Sequence, residues 1–259
     1  MAPLLRKTDS DTTAVRPDLP AFTPSPDQLA SKVFRSFAGS KMADVPRDIF
    51  RLRYEVYCLE CAFLDPADFH AQMEFDEYDA CSHHFAAYSI DETLVGTVRL
   101  VRPPAGEQEW PLERHCRLYP EVTLPPTAET AEISRLAVRK THRRRRSDSL
   151  WGMPGRLSLE EIEEPPPHAL RSRESPMLLL GLYREMYRYS RANGVRYWLA
   201  AMERALARSL ERMGFRFRPI GPQCDYYGAV TPYILDLHAL YENLAASNPA
   251  LATWFAEPA

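Results

Sequence analysis

The chain has no apolar run approaching the roughly 20 residues that a membrane-spanning helix needs, so no membrane span is expected. It also lacks an excess of charge of one sign. Thirty-two Lys and Arg against 35 Asp and Glu leave a formal net charge of −3, which gives the whole molecule no pull toward nucleic acid. Cysteines are few and odd in number: Cys58, Cys61, Cys81, Cys116 and Cys224. The Cys58-x-x-Cys61 pair has no second Cys or His pair at zinc spacing, which argues against a metal site. The opening Met-Ala-Pro-Leu-Leu-Arg-Lys is followed by no apolar segment of a secretory leader. Free thiols in a reducing cytoplasm are the expectation. There are no internal repeats and no heptads.

What is present can build a core: 45% of the residues are apolar and 26% are charged, which excludes global disorder. Proline, at 23 residues, has nearly twice its usual share and is unevenly placed. Residues 1–30, with Pro17, Pro20, Pro24 and Pro26, read as a disordered or loosely docked tail. Residues 31–259 read as one domain with irregular insertions at about 102–130 and 143–176.

The periodicity inside that domain is mixed. Residues 33–37 suit a short strand. From Pro46, the apolar positions Ile49, Leu52, Val56 and Tyr57 recur at helical spacing, and Arg53 falls on the same inward stripe. Two strands, 84–90 and 94–101, are separated by the turn Asp91-Glu92-Thr93. Ala131–Val138 reads as a buried strand, and a helix opening at Ser175-Pro176 ends at Asn193-Gly194. A strand at 195–202, a helix at 204–213, a strand beginning at 215–217, a strand at 233–237 and a helix at about 238–246 complete the chain. This order predicts an α/β (α+β) three-layer sandwich whose central mixed sheet is antiparallel in its first half and helix-connected in its second.

Charges stand where apolar residues belong. Glu132 and Arg135 lie in the strand 131–138 and Arg99 in the strand 94–101; buried charges need partners or a task. Glu74-Phe75-Asp76-Glu77-Tyr78-Asp79 interleaves acids with aromatics, as a packed segment does, and if extended it puts Glu74 and Asp76 on one face. Glu132 and Arg135 are three apart, so a regular strand would point them to opposite faces. Both serve one pocket only if a β-bulge interrupts the strand near Ser134. An ion-pair network that merely ties the sheet to the first helix is the plain alternative, and Arg53 suits it best. Beyond the strand, Arg139-Lys140-Thr141-His142-Arg143-Arg144-Arg145-Arg146 is a cationic run without stacking aromatics. It is open to being a docking surface, a solvated loop or, least well, a nucleic-acid contact.

Four of these pieces together resemble the GNAT acyltransferase superfamily, and within it the acyl-homoserine-lactone synthases and long-chain N-acyl amino acid synthases. The matching residues are Arg53, Glu74-x-Asp76-x-Tyr78-Asp79, Gly96-x-x-Arg99-Leu100 and Glu132-x-Ser134-Arg135-Leu136-x-Val138, spanning about 47–138. Phe50-Arg-Leu-Arg-Tyr-Glu-Val-Tyr-Cys58 with the Pro-rich insertion is similar to the acyltransferases associated with the PEP-CTERM/exosortase system. The Gly-bearing phosphate turn usual in GNAT proteins is replaced by the arginine run.

The resemblance implies a GNAT-like splayed sheet and transfer of a fatty acyl group from a thioester to a small amine, such as an amino acid or derivative. The thioester is carried by an acyl carrier protein or CoA, with no bound cofactor and no metal. It implies Glu132, then Glu74, as the base, with Arg99 and Arg135 holding the acids ionised. It further implies Asp76, Asp79 and Arg53 at the acceptor, and backbone N–H groups of Leu136, Ala137 and Val138 at the thioester oxygen. Arg139, Lys140, Arg143, Arg144, Arg145 and Arg146 would dock the carrier protein or its phosphopantetheine arm. The competing reading is a non-catalytic module of the same fold that binds an acyl thioester or nucleic acid.

Overall fold

A computed structural model describes residues 32–104, 109–142 and 169–257. The expected tail over 1–30, the arginines Arg143, Arg144, Arg145 and Arg146 and most of the 143–176 insertion lie outside these residues. The strands are β1 (Lys32–Ala38), β2 (Ser82–Ser89), β3 (Leu94–Val101), β4 (Thr130–Val138), β5 (Tyr197–Met202), β6 (Arg218–Pro219), β7 (Cys224–Asp225) and β8 (Ala229–Asp236). The helices are α1 (Arg47–Tyr54), α2 (Pro111–His115), α3 (Ala169–Ala192), α4 (Arg204–Arg212), α5 (Leu237–Ser247) and α6 (Pro249–Ala256). The sheet runs β1-β2-β3-β4-β5-β8-β6, with β7 on β8. All pairings are antiparallel except β4 with β5, the pair joined through α3. A helical crossover between neighbouring strands brings the chain back in the same direction, as the sequence predicts.

The side chains sort into layers by strand alternation. On one face, Phe85, Ala87, Val98 and Leu100 pack against Met177, Leu178, Leu182 and Met186 of α3. On the other, Ala86, Tyr88, Leu94 and Ala137 meet Ile49, Leu52 and Val56 of the first helix. Farther along that second face, Leu199 and Ile234 are covered by Trp110 and Leu112 from the Pro-rich connection. That connection is therefore folded onto the body. Gly39 permits a close approach between the end of β1 and the acidic segment: a Cβ there would lie 1.9 Å from the Asp79 carbonyl oxygen.

Several boundaries differ from expectation. Helix α3 starts at Ala169, before Ser175-Pro176, so Pro176 lies inside it. Proline is favoured at a first helical position because it lacks an N–H, but in a long helix the same lack forfeits one internal hydrogen bond. No strand begins at 215–217; the chain leaves α4 through Gly214 at φ +96° and pairs only at Arg218–Pro219. Strand β8 starts at Ala229, four residues before the expected 233, and α2 and α6 are helices beyond those expected.

The first helix also changes character. After Tyr54 it widens into a π-helical turn, Glu55–Glu60, where Cys61 N–H reaches the Val56 carbonyl at 3.0 Å. That turn swings the Tyr57 ring toward β4.

Candidate active site

Strand β4 is interrupted where the charges need it to be. Arg99 pairs with Ser134 and Thr97 with Ala137, so two steps along β3 match three along β4. One residue of β4 is extra, and Arg135 adopts φ +51°. For a residue with a Cβ this left-handed conformation costs about 1–3 kcal/mol and persists only where the surroundings enforce it. The bulge puts the side chains of Ser134 and Arg135 on the same face. The Arg99 Nε donates to Ser134 Oγ at 2.8 Å, and Arg135 and Arg99 both reach Asp76.

Those acids come from the interleaved segment. Asp76 caps a short 3₁₀ turn, Glu77–Cys81, by accepting from Tyr78 N–H at 2.9 Å; Asp79 Oδ2 accepts from Asp76 N–H at 2.7 Å. This reciprocal capping fixes both carboxylates locally. The arginines then close the cluster. Arg53 donates to Glu74 and, at 2.6 and 3.2 Å, to both oxygens of Asp79. Arg99 Nη1 donates to Asp76 and Asp79, each at 2.6 Å, and its Nη2 to Asp76 at 2.7 Å. Arg135 donates to Glu74 and Asp76 at 3.0 Å each.

Three guanidinium groups thus face three carboxylates, so the unit is neutral. The side chains of Arg53, Arg99, Glu74 and Asp79 are each 1% exposed, and that of Asp76, at 18%, is the most open. Burial alone would raise the carboxyl pKa values, but the arginines outweigh it and hold Glu74, Asp76 and Asp79 below their ordinary values. Behind the cluster, burial lowers His84 to about 4, so this ring stays neutral beside Asp79.

Glu132 is handled differently. It is 1% exposed, and Leu112 N–H of α2 donates to its Oε2 at 3.1 Å. Burial raises its pKa to about 8, with the Leu112 hydrogen bond and the nearby arginines pulling it down. It projects toward the place where the sheet splits. Pairing of β4 with β5 ends at Ile133 opposite Ala200; beyond it the strands diverge. The gap is a cavity of about 60 Å³ lined by Glu132, Arg135 and Leu136 on one side, with Ala201 and Met202 opposite and Tyr183 and Leu206 among the apolar side chains.

Sequence reasoning missed the aromatic wall of this cavity. Tyr57 from the π-turn and Tyr227 from the β7–β8 turn bracket the Arg135 guanidinium, with ring centroids 5.3 and 5.0 Å from it. Tyr227 takes φ +54°, in the tight turn before Gly228. Its neighbour Tyr226 stacks on His115 at 4.1 Å and 10°. The only signal in the chain was the Tyr-Tyr-Gly ending of the 219–228 loop.

Of the other expected residues, Leu136 lines the cavity, whereas Ala137 and Val138 are back in register with β3. Arg139 is engaged by Glu55 at 3.0 Å and the Leu94 carbonyl at 2.9 Å, while Lys140 is exposed. Among the described residues no group of His, Cys, Asp and Glu is placed to hold a metal ion, and no helix is long and apolar enough to cross a membrane.

A family model described as the acetyltransferase (GNAT) domain matches residues 52–152, which hold every member of the charged cluster. Solved structures match over most of the chain. One is BjaI, a CoA-dependent acyl-homoserine lactone synthase, with SAM and isopentyl-CoA: 17% identity, 83% of this chain and 89% of that one, TM-score 0.55. A second is TofI in a ternary complex with an inhibitor and MTA: 16% identity, 85% and 99%, TM-score 0.54. A third is the AHL synthase LasI: 15% identity, 82% and 95%, TM-score 0.52. The chain has a GNAT-like fold. The likeness to these three structures, at 15–17% identity over most of each chain, is one of fold. No curated protein matches the sequence.

Proposed function

We propose that the protein is an N-acyltransferase that moves an acyl group from a thioester, on acyl carrier protein or CoA, to the amine of a small acceptor such as an amino acid. The observation that carries this reading is the placement of Glu132. It is a carboxyl group without a cationic hydrogen-bond partner, beside the split in the sheet and next to the bulge that frees the β4 backbone from regular pairing.

The chemistry needs little more. The acceptor nitrogen attacks the thioester carbonyl carbon; the C–N bond forms and the C–S bond breaks, releasing a thiol. The ammonium must first lose a proton, for which Glu132, directly or through a water, is the base. With a pKa of about 8, Glu132 is mostly protonated at neutral pH. An entering ammonium favours its ionised form, so acceptor binding itself arms the base. Backbone N–H donation at the carbonyl oxygen is assigned to the bulged stretch at Leu136. Arg53, Arg99, Glu74 and Asp79 are assigned to positioning, since each is consumed by the others, and Asp76, the most open acid, is left nearest to an acceptor. Lys140, with the sequence run Arg143, Arg144, Arg145 and Arg146, is assigned to the carrier. The likeness to the exosortase-associated acyltransferases rests on Phe50–Cys58 and adds no acceptor.

The small cavity favours one further reading. It measures about 60 Å³ and is lined largely by apolar side chains. A non-catalytic module that only binds the thioester would need no more room. One assay separates the two: incubate the full chain with acyl carrier protein or acyl-CoA and pooled amino acids, then follow free thiol and acylated product by mass spectrometry. Product and thiol in equal amounts support the transferase. Binding without either leaves the module, and hydrolysis without an adduct overturns the amine acceptor.

A further inference from the structure

Two of the five thiols meet between the segment that holds Glu132 and the segment that carries the aromatic wall. Cys116 follows α2 directly and Cys224 opens β7; they are 108 positions apart in sequence, and their sulfurs are 2.6 Å apart. Both are free thiols, Cys116 buried and Cys224 partly exposed.

The segments that carry them run side by side. Tyr119 N–H donates to the Ile220 carbonyl at 2.9 Å. Gly221 approaches the Arg117 carbonyl so closely that a Cβ would lie 2.1 Å from it. At the other end His115 stacks on Tyr226. One segment supplies the Leu112 N–H that holds Glu132, and the other supplies Tyr226 and Tyr227 of the cavity wall. The sulfurs sit between the backbone contact and the ring stack.

We propose that Cys116 and Cys224 form a reversible disulfide on exposure to a peroxide, and that this bond locks the aromatic wall closed over the cavity. The partly exposed Cys224 reacts first: its thiolate attacks the peroxide O–O bond, becoming a sulfenic acid and releasing water once the leaving oxygen is protonated. The Cys116 sulfur then displaces the hydroxyl, the S–S bond forms, and a second water leaves. Two thiols give up two electrons and two protons, and both pairs end in water. Burial pushes the Cys116 thiol up, consistent with its acting second. Cytosolic disulfides are commonly transient and redox-sensing.

A lock matters here because Tyr226 and Tyr227 line the cavity beside Glu132. That oxidation slows acyl transfer rests on the acyltransferase reading; the bond itself does not. The test is to titrate the reduced full chain with hydrogen peroxide, alkylate the remaining thiols in denaturant, and map the peptides by mass spectrometry. The expected result is one cross-linked pair, Cys116 with Cys224, with Cys58, Cys61 and Cys81 alkylated. Dithiothreitol reverses it, and it is absent in Cys224→Ser and Cys116→Ala but kept in Cys81→Ser. Using both variants, with melting curves, guards against one failing to fold. Five alkylated thiols after peroxide, or a Cys58–Cys61 bond in place of this one, overturns the proposal. A quantitative cross-link with unchanged turnover overturns the lock. If the reduced protein shows no transfer at all, the function reading fails while the cross-link map still decides the bond.

Discussion

The Arg53–Arg99–Arg135 cluster and the Glu132 carboxyl are neighbours on one face of one sheet, both largely buried, and they differ in how their charge is matched. In the cluster every acid meets at least two guanidinium groups. Glu132 is hydrogen-bonded by a single backbone N–H. Buried pairs of this kind hold a geometry without being chemically available, since removing one partner strands the other. An acid short of partners in a small apolar space keeps its proton near neutrality and can give or take it. A misplaced charge in an apolar strand is therefore ambiguous until its partners are counted.

Glu132→Gln tests the comparison most severely. The hydrogen bond from Leu112 survives but proton transfer does not, so acyl transfer should fall by about 10²–10⁴-fold in a protein that still folds. Thiol release measures it, and retention of most of the wild-type rate would move the base elsewhere. Arg99→Met should do the reverse kind of damage. It strips a partner from Asp76 and Asp79 and should cost about 3–5 kcal/mol of stability, read by urea denaturation. A loss within the error of that measurement would mean that the remaining arginines suffice.

The pH dependence distinguishes the two regions by sign. Glu132 is raised in the folded protein, so its stabilising contribution is whole below its ordinary value of 4.5 and is lost as pH rises toward about 8. Glu74, Asp76 and Asp79 are lowered, so theirs is whole above ordinary carboxylate values and is lost as pH falls into acid. Glu132→Gln should accordingly gain in melting temperature on the wild type between about pH 5 and pH 8, and parallel curves would remove the raised pKa. The smallest effect belongs to the wall: His115→Ala, losing its stack on Tyr226, should cost about 0.5–1.5 kcal/mol, checked by thermal melting.

Much of this was legible in the chain. Apolar periodicity located the first helix, the β2–β3 pair and the parallel crossover, because alternation and helical spacing survive in a single sequence. Glu132, Arg135 and Arg99 declared themselves by being charged where packing wants apolar groups, and the three-residue spacing of the first two required the bulge that the register shows. Tyr57, His115, Tyr226 and Tyr227 left no such mark. Aromatic residues in a π-turn and in loops look ordinary, and only tertiary packing brings them to one guanidinium. Helix α2 was hidden for a similar reason: five residues inside a Pro-rich connection carry too little periodicity to read.

Four residue pairs, Thr130–Ile133 against Tyr197–Ala200, join the two halves of the sheet. The first half grows from a local hairpin, whereas this seam needs the whole α3 crossover to bring its strands together, and such non-local pairing is slow to form. A short seam formed late is also the natural line along which a sheet opens without global unfolding. Amide exchange should be faster at Ala201 and Met202 than in β2 and β3, making the parting of β4 and β5 a cooperative boundary as well as a cavity wall.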